Sequence, residues 1–130
     1  MMRAEYHLAQ GRTAVIAVED EGLVRMDMAM LLEDEGFIVF EASDADQAID
    51  ILNSHSEMRL MFTDIGMPVR MDGLKLAQAV RDRWPPVKII VASGHVKLSD
   101  ALLPVEGRFF SKPYESSRVI ATMRGMLAFA

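Results

Sequence analysis

Residues 61–73 read MFTDIGMPVRMDG: an apolar run, Asp64 at its end, then a loop carrying Pro68 and Gly73. A carboxylate at the end of a buried strand is costly unless something compensates its charge. Four further apolar runs share this form: TAVIAV at 13–18, FIVFEA at 37–42, VKIIVAS at 87–93 and RFFS at 108–111. Continuous runs of this length, rich in β-branched and aromatic residues, are expected as strands buried on both faces, as in a parallel sheet.

The segments between these runs have helical period. Leu23, Met26, Met30 and Leu31 give the apolar face expected for the first helix, and Gly36 stands where a C-cap belongs. The second helix is expected to be capped by Ser43 or Asp44, with Ala45, Ala48, Ile49 and Leu52 on one face. Leu74, Ala77 and Val80 mark a third, ended by Trp84-Pro85-Pro86. Ser116 and Ser117 precede another amphipathic stretch carrying Val119, Ile120, Met123 and Leu127. Between the last two strands, residues 94–107 have room for only a short helix before Pro104, so that fourth helix is expected to be shortened or irregular. The order βαβαβαβ, an irregular stretch, then βα implies right-handed crossovers and a doubly wound α/β fold with helices on both faces of the sheet.

At 130 residues the chain suits one domain, expected over 12–130, with residues 1–11 as a loose arm. A composition 51% hydrophobic and 25% charged is that of a globular protein. No run is long enough for a membrane span and no signal peptide is evident, so neither a membrane partner nor export is expected and the location is expected to be cytoplasmic. The absence of cysteine excludes disulfides and thiolate chemistry. A net charge of −5 argues against nucleic acid as a partner. The eleven methionines are expected as adaptable core filling, Met26, Met28 and Met30 included, and His7, His55 and His95 lack metal-ligand spacing.

In open parallel sheets, function gathers beyond the carboxyl ends of the strands. Here the first strand runs into Glu19-Asp20-Glu21, the third ends at Asp64, the fourth at Ser93-Gly94, and the fifth at Lys112-Pro113. Singly, each has an ordinary explanation, such as an acid near a helix N-terminus or a solvated lysine. Together they bring acids from two strands, a hydroxyl and an ammonium to one rim. Carboxylates about 4 Å apart repel by roughly 4 kcal/mol at an effective dielectric near 20, so the cluster requires a cation or a proton. Oxygen donors without His or Cys favour a hard ion, Mg²⁺ among them.

The ordered set VIAVEDE, FTDIGMP, MDG, VASG and FFSKPY resembles the receiver domain of two-component response regulators, over about residues 12–128. The resemblance implies a flavodoxin-like three-layer sandwich with strand order 2-1-3-4-5. It implies that Asp64 is the phosphoacceptor, taking a phosphoryl group from a histidine kinase or histidine phosphotransfer protein, and that the domain signals to a downstream protein, here expected as a stand-alone switch. Asp20 and Asp64 match the family's magnesium ligands, the backbone carbonyl of Gly66 a third, and Glu19 a neighbour acting through water. Lys112 matches the phosphoryl-contacting lysine, Ser93 the switch hydroxyl where threonine is commoner, and Phe109 the switch aromatic. The bond before the proline that matches Pro113 is commonly cis in this family. Two other functions are open to the same residues. One is a pseudo-receiver acting as a binding module, against which the intact set Asp20, Asp64, Ser93 and Lys112 counts. The other is a haloacid-dehalogenase-like phosphatase, which usually carries a second aspartate where this chain has Gly66.

Overall fold

The computed structural model describes residues 12–65, 71–93 and 107–128. Within them run β1 (Ala14–Val18), α1 (Gly22–Asp34), β2 (Ile38–Ala42), α2 (Ala45–Ser54), β3 (Met58–Ile65), α3 (Met71–Arg83), β4 (Lys88–Ser93), β5 (Gly107–Ser111) and α4 (Ser116–Leu127). All strand pairings are parallel, in the order β2-β1-β3-β4-β5. The flavodoxin-like order and the five expected strands are therefore both present. The expectation of a shortened fourth helix falls on 94–107, and that of a loose arm on 1–11; apart from Gly107, which opens β5, these lie outside the described residues.

Two apolar layers hold the sheet. On one face Ile16, Val18, Met61, Ile89 and Val91 pack with Ala48 and Leu52 of α2 and with Leu76, Ala77 and Val80 of α3. On the other, Val15, Ala17, Leu60, Phe62, Ile90 and Ala92 pack with Met28 and Leu32 of α1 and with Val119, Ile120 and Met123 of α4. Alternation along each strand produces this division. In β3 it is reset once: Ala14 pairs with Met58 but Val15 with Leu60, so Arg59 is an extra residue, and the shift keeps Leu60 and Phe62 on the same face as Val15 and Ala17.

Local chemistry sets the helix ends. Asp44 accepts from the Gln47 N–H at 2.8 Å while the Gln47 side chain accepts from the Ser43 N–H at 2.7 Å, a reciprocal cap at the start of α2. Gly36 ends α1 at φ +99°, a conformation that costs other residues a Cβ clash, and its N–H donates to Glu33 O while Phe37 N–H donates to Leu32 O. Helix α4 begins at Ser116 with Glu115 as N-cap, and no side-chain cap is formed.

One expectation is corrected. The buried residues of α1 are Met28, Ala29 and Leu32, whereas Leu23, Met26 and Met30 are 73%, 51% and 55% exposed. Of the three methionines expected in the core, only Met28 is there. The helix carries apolar residues around most of its circumference, and contact with Leu60, Phe62 and α4 decides which of them go inside.

Candidate functional site

Parallel pairing brings every strand's carboxyl end to one rim. Val18 is the last β1 residue in register with β3, opposite Thr63, so Glu19 and Asp64 each stand one position beyond that pair on adjoining strands. Asp64 is opposite Ala92 and Ile65 opposite Ser93, and Ser93 is in turn opposite Ser111. The Lys112 N–H donates to Ser93 O at 2.9 Å, extending the ladder by one bond to the residue before Pro113. The peptide bond between Lys112 and Pro113 is cis. The backbones of Glu19, Asp64, Ser93 and Lys112 thus follow one another across the strands β1, β3, β4 and β5. Gly66 lies outside the described residues, and Asp64 is located by its backbone register.

The turn after β1 is held tightly. Glu19 is only 4% exposed; its N–H donates to Ala42 O at 3.0 Å, continuing the β2 ladder, and its Oε2 accepts from the Glu21 N–H at 2.8 Å. Asp20, the next residue, is exposed. Sequence reasoning missed the fourth participant, Arg25 on the first turns of α1, whose Nη1 donates to Glu19 O at 2.8 Å and whose Nε meets Glu41 Oε1 at 3.3 Å. Spacing within the helix offered no signal for it, because its partners come from the preceding turn and from β2.

Ser93 is 2% exposed, and its position shares the sheet face of Ile89 and Val91. Phe109, opposite Val91, is half-buried and packs against that same layer, so hydroxyl and aromatic stand on one face of adjacent strands. Lys112 is half-buried. Beyond it, Tyr114 turns its ring edge-on to Phe62 and Phe110, with centroids 6.1 and 6.3 Å away, and ties the end of β5 to the α1/α4 face.

The donors at this rim are carboxylate and carbonyl oxygens, a set chemically suited to Mg²⁺. Among the described residues no group of three or more His, Cys, Asp and Glu is gathered as a metal site. Of the residues matched to the metal site, Glu19 and Asp20 are described there with their side chains, and a further oxygen would have to come from Asp64 or Gly66. Among the described residues, too, no helix is long and apolar enough to cross a membrane.

Comparison with known proteins agrees with this layout. Residues 15–124 match the family model described as the response regulator receiver domain. The chain is 32% identical over 121 residues to the sensor kinase CckA of Brucella abortus, covering 90% of this chain and 13% of that protein. It is 38% identical over 80 residues to the transcriptional regulatory protein PdtaR of Mycobacterium tuberculosis, covering 60% of this chain and 38% of the relative. The chain therefore spans well under half the length of these curated relatives. Among solved structures, a response regulator receiver protein from Sinorhizobium medicae superposes with a TM-score of 0.79 at 27% identity, covering 90% of this chain and 95% of that one. The receiver domain of NtrX from Brucella abortus gives 0.76 at 29% identity, with 89% and 99% covered. This chain belongs to the response regulator receiver domain family.

Proposed function

We propose that the protein is a phosphoacceptor switch in which Asp64 takes a phosphoryl group from a phosphohistidine on a histidine kinase or phosphotransfer protein. A carboxylate oxygen of Asp64 forms the new P–O bond as the P–N bond breaks. The electron pair stays with the imidazole nitrogen, which then takes up a proton, and the product is an acyl phosphate. The observation that carries this reading is the strand register, which aligns Glu19-Asp20, Asp64, Ser93 and Lys112 along one rim.

Asp20, Asp64 and the Gly66 carbonyl would hold Mg²⁺, with Glu19 acting through water. When bound, the ion offsets the charge of the acids and of the incoming phosphoryl group. Lys112 pairs with phosphoryl oxygens and stabilises the charge that spreads over them in the transition state. Ser93 donates its hydroxyl to the phosphorylated carboxylate. Phe109, on the same sheet face, repacks in response and alters the surface beside β5.

A donor protein must cover whatever flanks Asp64, and α1 starts at the turn that bears Asp20. Its exposed stripe of Leu23, Met26 and Met30 supports an apolar docking surface there. Val24 joins this stripe to a cleft of about 190 Å³ between α1 and α4, lined by Phe62, Tyr114 and Ile120 among others.

Incubation with acetyl phosphate and Mg²⁺, followed by peptide mapping, tests the assignment. One stoichiometric adduct on Asp64, lost in Asp64→Asn, is the expected result. Unchanged uptake by the variant rules out the acceptor. Turnover of free phosphate esters points to a phosphatase, and absence of any adduct to a binding module.

A further inference from the structure

Arg25 makes two bonds from one guanidinium, to groups far apart in sequence. Nη1 reaches the Glu19 carbonyl and Nε reaches Glu41, at the carboxyl end of β2. The Glu19 residue it grips is already fixed at its N–H by Ala42 and at its side chain by the Glu21 N–H. Arg25 supplies the bond at the remaining backbone group, immediately before Asp20. The peptide joining Glu19 to Asp20 is the link through which the direction of the Asp20 side chain is set. With its carbonyl bonded, that peptide plane cannot turn without breaking a charge-assisted hydrogen bond.

We infer that Arg25 is a positioning residue: it locks the Glu19–Asp20 peptide so that Asp20 is presented in one orientation to a divalent cation. The inference rests on the reading of Asp20 as a magnesium ligand. Glu41 serves the same end by orienting the guanidinium and offsetting its charge. Lysine is a poor substitute, because a single ammonium on a flexible stem lacks the rigid fork that spans the two acceptors.

Two effects of removing Arg25 oppose each other, and that makes the inference decidable. Electrostatics alone predicts that deleting a cation beside the acids tightens binding of Mg²⁺. Loss of positioning predicts weaker binding, since outer partners that orient a metal ligand are typically worth 10–100-fold in affinity. The sign of the change separates them.

The test is a titration of the unphosphorylated full chain with Mg²⁺ alone, followed by amide NMR shifts. Thermal unfolding in EDTA is measured alongside it. Wild type is expected to saturate, and Arg25→Ala to bind roughly 10-fold more weakly. Arg25→Lys, which keeps the charge but not the fork, is expected to fall between. If Arg25→Ala does not fold, Arg25→Lys carries the test, since electrostatics alone predicts no change for it. Unchanged or tighter binding in the folded variants overturns the role of Arg25 while leaving the proposed site intact. Wild type that shows no saturable response to Mg²⁺ overturns the site reading, and this inference with it.

Discussion

Asp20→Asn should make the metal-free protein more stable and the magnesium-bound protein less stable than wild type. Asp20 stands beside Glu19 and Glu21 and one strand from Asp64. The acids next to it in sequence stay near it in the unfolded chain, so much of their repulsion cancels in the difference. The term created by folding is chiefly that with Asp64 across the strand gap, and with Glu19 as it is buried. At about 6 Å such a pair repels by roughly 3 kcal/mol at an effective dielectric of 20 and by under 1 kcal/mol in bulk water. Asp20 is exposed while Glu19 is 4% exposed, which puts the net near 1 kcal/mol, or about 4 °C in melting temperature for a chain of this size. Magnesium reverses the order: at ten times its Kd it adds about 1.4 kcal/mol to wild type, and little to a variant that has lost a ligand. Thermal unfolding in EDTA and in a Mg²⁺ series checks both halves. A variant that melts at or below wild type without metal, or a wild type that Mg²⁺ does not raise, refutes the reasoning.

Ser93→Ala is expected to keep phosphorylation of Asp64 while weakening the NMR shift changes that follow it around Phe109; equal changes in both proteins would exclude the hydroxyl as the trigger. Leu23→Gln with Met26→Gln, which adds no charge, should leave Mg²⁺ binding and uptake from acetyl phosphate unchanged yet slow transfer from a phosphohistidine protein at least tenfold, as read by single-turnover kinetics. Arg124→Ala should cost about 1 kcal/mol in urea unfolding, because its guanidinium serves Glu35 Oε1 at 2.8 Å, the Glu35 carbonyl at 2.9 Å and the Phe37 ring at 5.3 Å. Glu35→Ala, which leaves the last two contacts, should cost less than half as much. Gly36→Ala should lose about 1–2 kcal/mol in the same assay through its φ of +99°. Its new Cβ would meet Arg12 only at an ordinary 3.9 Å, so backbone strain is the cause.

The strands were legible because a buried parallel strand requires an unbroken apolar run, and little else of that length does. The rim residues were legible for a related reason: a polar group that ends such a run is conspicuous, as with Asp64 after MFT and Ser93 after IIVA. Strand order came from resemblance, since periodicity carries no information on which strands are neighbours. The burial face of α1 was misread because Leu23, Met26 and Met30 satisfy helical spacing as well as Met28 and Leu32 do. The bulge at Arg59 was hidden because one inserted residue leaves the apolar character of β3 intact. Arg25 looked like any helix residue, its two acceptors being set by tertiary structure.

The misreading of α1 bears on function. A helix that is apolar all round is ordinarily enclosed, and leaving Leu23, Met26 and Met30 in water contributes nothing to folding while raising the risk of association. The inner face of the same helix supplies the packing that fixes its axis, through Met28 and Leu32 against Phe62 and α4. With the axis fixed, Arg25 can hold the turn that carries Asp20, and the outer stripe stands at a set distance from Asp64. On the proposed function, a partner that docks on the stripe is thereby registered so that its phosphohistidine meets Asp64. One element then serves three demands through two faces, because Arg25 lies on the inner side with Met28, Ala29 and Leu32 at i, i+3, i+4 and i+7 while Leu23, Met26 and Met30 face outward, and simple amphipathicity is the pattern it has to give up.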